Sequence, residues 1–240
     1  MAKVGDKPGR INNIGENANN QKKDVRSEIE KIEEGSDSGA NQSGTPSSKS
    51  GGEDKNKDFL VRDSDVEEYR TELGNPINEE GNPLNTVAIG KTNIPELQGK
   101  VFKGASPEVR KAAGLCDLDD AYPDRSIKSP YDNPAFVKHA EEGVMAEFEQ
   151  AIKDAGLDPK TVKGDIYMMQ SFGNGVCNKC SAGLLKESPS GRVGIFKQFM
   201  ETYPNVNIHL STYSKAVPGK SNGLLSFEVI AGKVINVVKK

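Results

Sequence analysis

Asp165-Ile166-Tyr167-Met168-Met169-Gln170-Ser171-Phe172-Gly173-Asn174-Gly175-Val176-Cys177-Asn178-Lys179-Cys180 reads as an apolar strand, a glycine-containing loop and two cysteines three apart. The pattern predicts a strand over Asp165 to Gln170, a loop over Ser171 to Gly175, and a helix from Cys177 to about Leu185. Two cysteines at this spacing can place both sulfurs on one metal. Upstream, His139-Ala140-Glu141 offers an imidazole as a third donor and a carboxylate beside it. Three protein donors leave the fourth position for water, the pattern of a catalytic zinc and not of a closed structural one.

The rest of the chain divides around this stretch. Residues 1–83 hold 12 Lys and Arg against 18 Asp and Glu, whereas residues 84–240 hold 20 against 17. The C-terminal part is therefore mildly basic, which permits contact with nucleic acid without the basic stripe of a dedicated binder. Gly35 to Gly52 contains no Leu, Ile, Val, Phe or Tyr. A segment so poor in apolar side chains cannot offset its ordering entropy, so residues 1–57 read as a disordered acidic tail or linker. Residues 58–83 read as a linker with a short helix capped by Asp63 and ended by Gly74-Asn75-Pro76. Residues 84–240 read as the folded domain. Three cysteines leave one over from any pair, and Cys116 reads as a free thiol. Met1 to Asp6 has no apolar h-region, and no apolar run reaches the roughly 18 residues of a membrane helix, so no membrane partner is expected.

Within the domain, strands are predicted over 86–90 and 99–103, with a turn at Asn93 to Gln98. A helix capped by Ser106 runs to Ala113, and a long Asp- and Pro-rich loop covers 114–134. Asn133-Pro134 leads into a helix over about 135–155, with Val144, Met145, Phe148, Ala151 and Ile152 on its inner face. After the cysteines come a helix over 193–203 and strands over 206–212, 224–230 and 234–238. The order β-β-α-loop-α-β-α-α-β-β-β predicts one mixed sheet with helices on its faces. Only Tyr213 to Gly223 join the fourth and fifth strands, too short for a parallel crossover, so that pair is expected to be antiparallel.

Zinc binding needs deprotonated thiols and a neutral imidazole. His139 and Cys177 both fall at predicted helix starts, where the partial positive charge favours thiolate. Zinc lowers the pKa of a bound water to about 7. Glu141 can take that proton and pass it to a leaving nitrogen, which suits hydrolytic loss of an exocyclic amine from an aromatic ring. The two cysteines also fit a buried apolar pair or half of a zinc knuckle. His209 reads as a strand residue and Glu142 as a solvated one. Phe172 and Tyr213 are candidates to stack on a base, with ordinary packing as the alternative. Asn133 is a candidate sugar or base contact or a plain helix-entry turn.

The pattern His-x-Glu … Cys-x-x-Cys is the known signature of zinc nucleobase deaminases. On His139-Ala140-Glu141, Val176-Cys177-Asn178-Lys179-Cys180, and Val87 to Pro95 with Gly99-Lys100, residues 84–240 resemble the cytidine-deaminase superfamily. They are most similar to the deaminase toxin domains of bacterial polymorphic toxins. The resemblance implies a cytidine-deaminase-like three-layer α/β/α fold with a mixed five-stranded sheet, its last strands antiparallel. It implies Zn2+ on His139, Cys177 and Cys180, with Glu141 as catalytic proton shuttle and Phe172, Asn133 and Tyr213 as substrate contacts. The implied substrate is cytosine in nucleic acid, with single-stranded DNA favoured over RNA or double-stranded DNA. The implied setting is a secreted or injected effector acting in a recipient cell's cytoplasm and blocked by a cognate immunity protein. Free nucleosides or nucleotides, adenine, or a non-catalytic zinc-stabilised binding module are the alternatives. Val176 stands where many relatives have proline.

Overall fold

The structure, a computed structural model, describes residues 59–77, 79, 84, 86–133, 137–216 and 223–240. The expected tail, 1–57, lies outside the described residues.

Helix α1 (Asp63–Glu72) starts one residue earlier than a cap at Asp63 would give, because Arg62 is the N-cap and its amide donates to the Asp65 carboxylate at 2.7 Å. Asp63 and Asp65 in its first turn and Arg70 in its last complement the helix dipole. Gly74 and Asn75, at φ 76° and 48°, end it. Val66 and Tyr69 are buried against Val87, Ile89 and Val109. Residues 59–77 are thus packed into the same unit as the strands that follow, and the fold begins well before residue 84.

Strands β1 (Val87–Thr92) and β2 (Val101–Ala105) are joined through a 3-10 turn at Pro95–Leu97. Helix α2 (Pro107–Ala112) carries proline at its first position, where the missing N–H costs nothing. The predicted long loop contains a short helix, α3 (Leu118–Ala121), whose Asp117 side chain accepts from the Asp119 amide. Helix α4 (Ala140–Asp154) begins later than the sequence pattern predicts. Lys138, at φ 56°, is left-handed, and a helix cannot run through it. Pro134 to Phe136 lie outside the described residues.

Strand β3 (Gly164–Gln170), helix α5 (Ile195–Thr202), and strands β4 (Val206–Thr212), β5 (Leu224–Ile230) and β6 (Lys233–Lys239) complete the fold. The sheet is mixed, in the order β2-β1-β3-β4-β5-β6. β3 and β4 are parallel across a connection that includes α5, and the other neighbours are antiparallel. β4 and β5 pair through Ile208↔Val229 and Leu210↔Phe227, the direction their short connection requires. Among the described residues the sheet has six strands, not five. Ala231 and Gly232 both have positive φ, the two-residue turn that matches strand twist, so β6 folds straight back on β5.

The predicted helix from Cys177 does not form. Residues 178–184 are successive turns. The Ser181 amide reaches the Cys177 carbonyl at 3.1 Å, but Gly183 at φ 77° stops the helix after that turn.

Both faces of β1 are buried, Ala88 in one core cluster and Val87 with Ile89 in another. On the first face Phe148 of α4 meets Phe102, Phe199 and Tyr203 at ring separations of 5.4, 5.4 and 5.3 Å. The start of α4 lies directly on β2. A Cβ at Gly104 would overlap the Ala140 carbonyl, and one at Gly143 would come within 2.9 Å of Gly104 Cα. This close approach fixes where residues 139–142 sit.

Val176 forms a bridge with Leu224. Its N–H donates to the Leu224 carbonyl at 2.8 Å and its carbonyl accepts at 3.0 Å. Proline could not donate that bond. Val176→Pro is expected to lower stability by about 1–3 kcal/mol through the stranded Leu224 carbonyl. A denaturant midpoint equal to wild type would contradict this.

Candidate metal centre

His139 is the N-cap of α4, and its side chain makes no cap bond. Its Nδ1 instead lies 3.2 Å from Cys180 Sγ and 3.5 Å from Cys177 Sγ. The three donor atoms lie within 4.8 Å of one another. A tetrahedral ion with Zn–S about 2.3 Å and Zn–N about 2.0–2.1 Å needs an S···N edge of about 3.6 Å, close to what these residues present. The group could hold a metal ion and is compatible with zinc. Glu141 is not part of this donor group.

The electrostatics favour a cation. The Cys177 thiol is pulled down to about 4, chiefly by its hydrogen bond with Cys180 and then by His139, against the cost of burial. Cys180 is pushed well up by the same hydrogen bond and by burial. A metal bound here would take the place of that hydrogen bond, with both thiols deprotonated. The Cys180 amide, 3.4 Å from Cys177 Sγ, adds a backbone donor to the thiolate. Although Cys177 does not open a helix as expected, that single turn still presents an N–H to its sulfur.

Glu141 occupies the first turn of α4 and is only 4% exposed. Burial raises its pKa, and His139 partly opposes this. Glu142, expected to be solvated, is buried at 2% exposure. It accepts from Arg125 Nη2 at 3.0 Å and from the Lys138 amide at 3.0 Å. Arg125, itself 5% exposed, also donates to the Leu118 and Tyr122 carbonyls and pairs with Asp119 at 2.7 Å. The pair therefore anchors the backbone immediately before His139. Glu149, also buried, accepts from the Ser126 amide at 2.8 Å, tying the same loop to α4. Sequence reasoning missed Arg125 and Glu142. No local signal marks them: Arg125 lies in a polar loop, and Glu142 is one of two adjacent glutamates in the first turn of α4.

Phe172 is half-buried in the loop between β3 and Cys177, with its amide and carbonyl both held by the Gln170 side chain. Asn133 is exposed at the edge of the described residues. Tyr213 follows β4, packs against the α1-side cluster and donates to Glu67 at 2.9 Å. Its described contacts therefore point to α1 and not to the thiol pair. His209 lies in β4 between Glu228 at 2.9 Å and Asp165 at 3.2 Å, stacked on Tyr167 at 4.5 Å. It stands in its strand, outside the donor group. Cys116 is an exposed free thiol. Among the described residues no helix is long and apolar enough to cross a membrane.

Compared with protein-family models, with curated proteins and with solved structures, the chain matches none of them.

Proposed function

We propose that the chain is a zinc-dependent hydrolytic deaminase of the cytidine-deaminase type that converts cytosine in nucleic acid to uracil. The observation that carries this reading is the convergence of two distant stretches. His139-Ala140-Glu141 and Cys177-Asn178-Lys179-Cys180 meet with three donors clustered and Glu141 buried in the adjoining turn. α1 and α4 on opposite faces of β1 support the three-layer arrangement of that family.

When bound, zinc supplies a water of lowered pKa, about 7. The chain's own residues do the rest. His139, Cys177 and Cys180 hold the ion, and the Arg125–Glu142 pair fixes the backbone that carries His139. Glu141 moves the water's two protons in turn, taking each at its carboxylate and delivering the first to the ring nitrogen and the second to the departing amine. The water oxygen bonds to the ring carbon, the exocyclic C–N bond breaks, ammonia leaves and uracil remains, with no electron donor or acceptor required. Phe172 offers a ring for the base beside the thiol turn, and Asn133, seven residues before α4, a polar contact.

The toxin setting, with delivery into a recipient cell and a cognate immunity protein, rests on the resemblance carried by Val87 to Pro95 with Gly99-Lys100. Those residues form β1, the entry to the 3-10 turn after it, and the two positions before β2. The test is ammonia release from the zinc-loaded protein on single-stranded DNA, duplex DNA, RNA, free cytidine and adenosine. Release accompanied by uracil in a polynucleotide is expected. Release only from free nucleosides or from adenine would move the substrate. No release from any of them would leave a zinc-stabilised binding module.

A further inference from the structure

A groove of about 690 Å³ runs along the outer side of the thiol turn, lined by Asn178, Lys179 and Ser181 from that turn. Its size falls in the about 300–1,000 Å³ range of ligand clefts. Lys186, Lys239 and Lys240 also line it, against one acidic side chain, Glu187, among the described residues. Tyr131 stands in its wall, with Lys179 Nζ 4.6 Å and Arg192 Cζ 5.6 Å from the ring centroid. Lys240 Nζ reaches Asn174 at 2.9 Å, so the far end of β6 is tied to the loop that leads into the thiols. Residues 84–240 hold 20 Lys and Arg against 17 Asp and Glu, an excess of only 3, so four lysines against one glutamate along one groove are a local concentration of cations. It also draws on four separate segments, at residues 131, 178–192, 223–224 and 239–240, which only the fold brings together.

We propose that this groove carries the backbone of a single-stranded nucleic acid flanking the target base. Lys179, Lys186, Lys239 and Lys240 would face the phosphates, and Tyr131 would offer a stacking surface. The proposal rests on the deaminase reading and names how that site takes a polymer in preference to a free nucleoside. Cations set along a groove and a ring among them are the two parts of sequence-tolerant single-strand binding. A buried site also needs its base out of a duplex stack, which a single strand provides.

The test is equilibrium binding of fluorescein-labelled oligothymidylate, which has no exocyclic amine and so reports binding whether or not the chain deaminates anything. For three or four neutralised phosphates, log K against log salt is expected to slope at about −2 to −3. Lys186→Glu combined with Lys239→Glu, both exposed, is expected to weaken binding at least about tenfold and to flatten the slope by about 1.4. Tyr131→Ala should weaken binding about tenfold and leave the slope unchanged. Lys100→Glu with Lys233→Glu, exposed and outside the groove, should leave binding as it was. A salt-independent affinity, or equal losses from the groove pair and the distant pair, would overturn the proposal. A duplex bound as tightly as the single strand, with Tyr131→Ala silent, would overturn its single-strand assignment. If oligothymidylate binds in this way but no substrate releases ammonia, the deaminase reading fails and the groove stands. If ammonia is released from cytosine but the groove variants bind normally, the groove fails and the metal centre stands.

Discussion

Glu141→Ala is expected to cut the deamination rate by about 10²–10⁴, the usual contribution of a positioned proton-transfer group, while zinc content stays at the wild-type level. The reason is positional. Glu141 sits two residues from His139, buried in the first turn of α4, yet outside the three-donor group. It can serve a reacting atom there without holding the ion. Its removal also takes out a buried carboxyl group whose burial already disfavours the charged form. The melting temperature should therefore be unchanged or slightly higher, so loss of activity would separate from loss of fold. Glu141→Gln, which keeps the shape and removes the titrating oxygen, should be as inactive as the alanine variant. If either variant loses its zinc, Glu141 is a ligand. If either keeps full activity, the proton-shuttle mechanism is wrong.

The largest stability effect should come from Arg125. Replacing it with Met keeps much of the volume but leaves the Glu142 carboxylate buried without its cation. Breaking a buried pair from one side costs about 3–5 kcal/mol. Arg125→Met together with Glu142→Leu should recover most of that loss, because no unpaired charge then remains in the core. Zinc affinity should fall about 10–100-fold in the single variant, the usual effect of losing a group that orients a ligand. Here the route is direct, since Glu142 accepts from the amide of Lys138, the residue before His139. Urea unfolding and zinc competition check the two parts separately. A single variant that loses less than about 1 kcal/mol would show that the pair carries little of the fold.

What could be read from the sequence follows from which forces act locally. β4 and β5 were legible residue by residue, because alternation of apolar and polar side chains has a period of two and each strand has one buried face. The direction of their pairing followed from the length of the connection alone. The start of α4 was misplaced because Lys138 is left-handed, a conformation no apolar pattern encodes. The helix at Cys177 was over-read because the cysteine spacing suits a helix and a single turn equally well. α1 was legible as a short helix, but its packing into the fold was not, because its charged surface hides two anchors, Val66 and Tyr69, whose partners on β1 are distant in sequence. The donor residues were legible for a different reason. Metal ligation restricts residue type and spacing so tightly that His139, Cys177 and Cys180 stand out with no knowledge of the fold. Arg125 and Glu142 were not legible, since an arginine in a polar loop and a glutamate on a helix are solvated far more often than they are buried.

All of this stands on three side chains holding zinc. The direct measurement is metal analysis of freshly purified protein never exposed to chelator, beside His139→Ala and Cys177→Ala prepared in the same way. The account predicts about one zinc per wild-type chain and a lower melting temperature with zinc lost in both variants. Wild-type protein without zinc, or variants that keep it, would contradict the account at its centre.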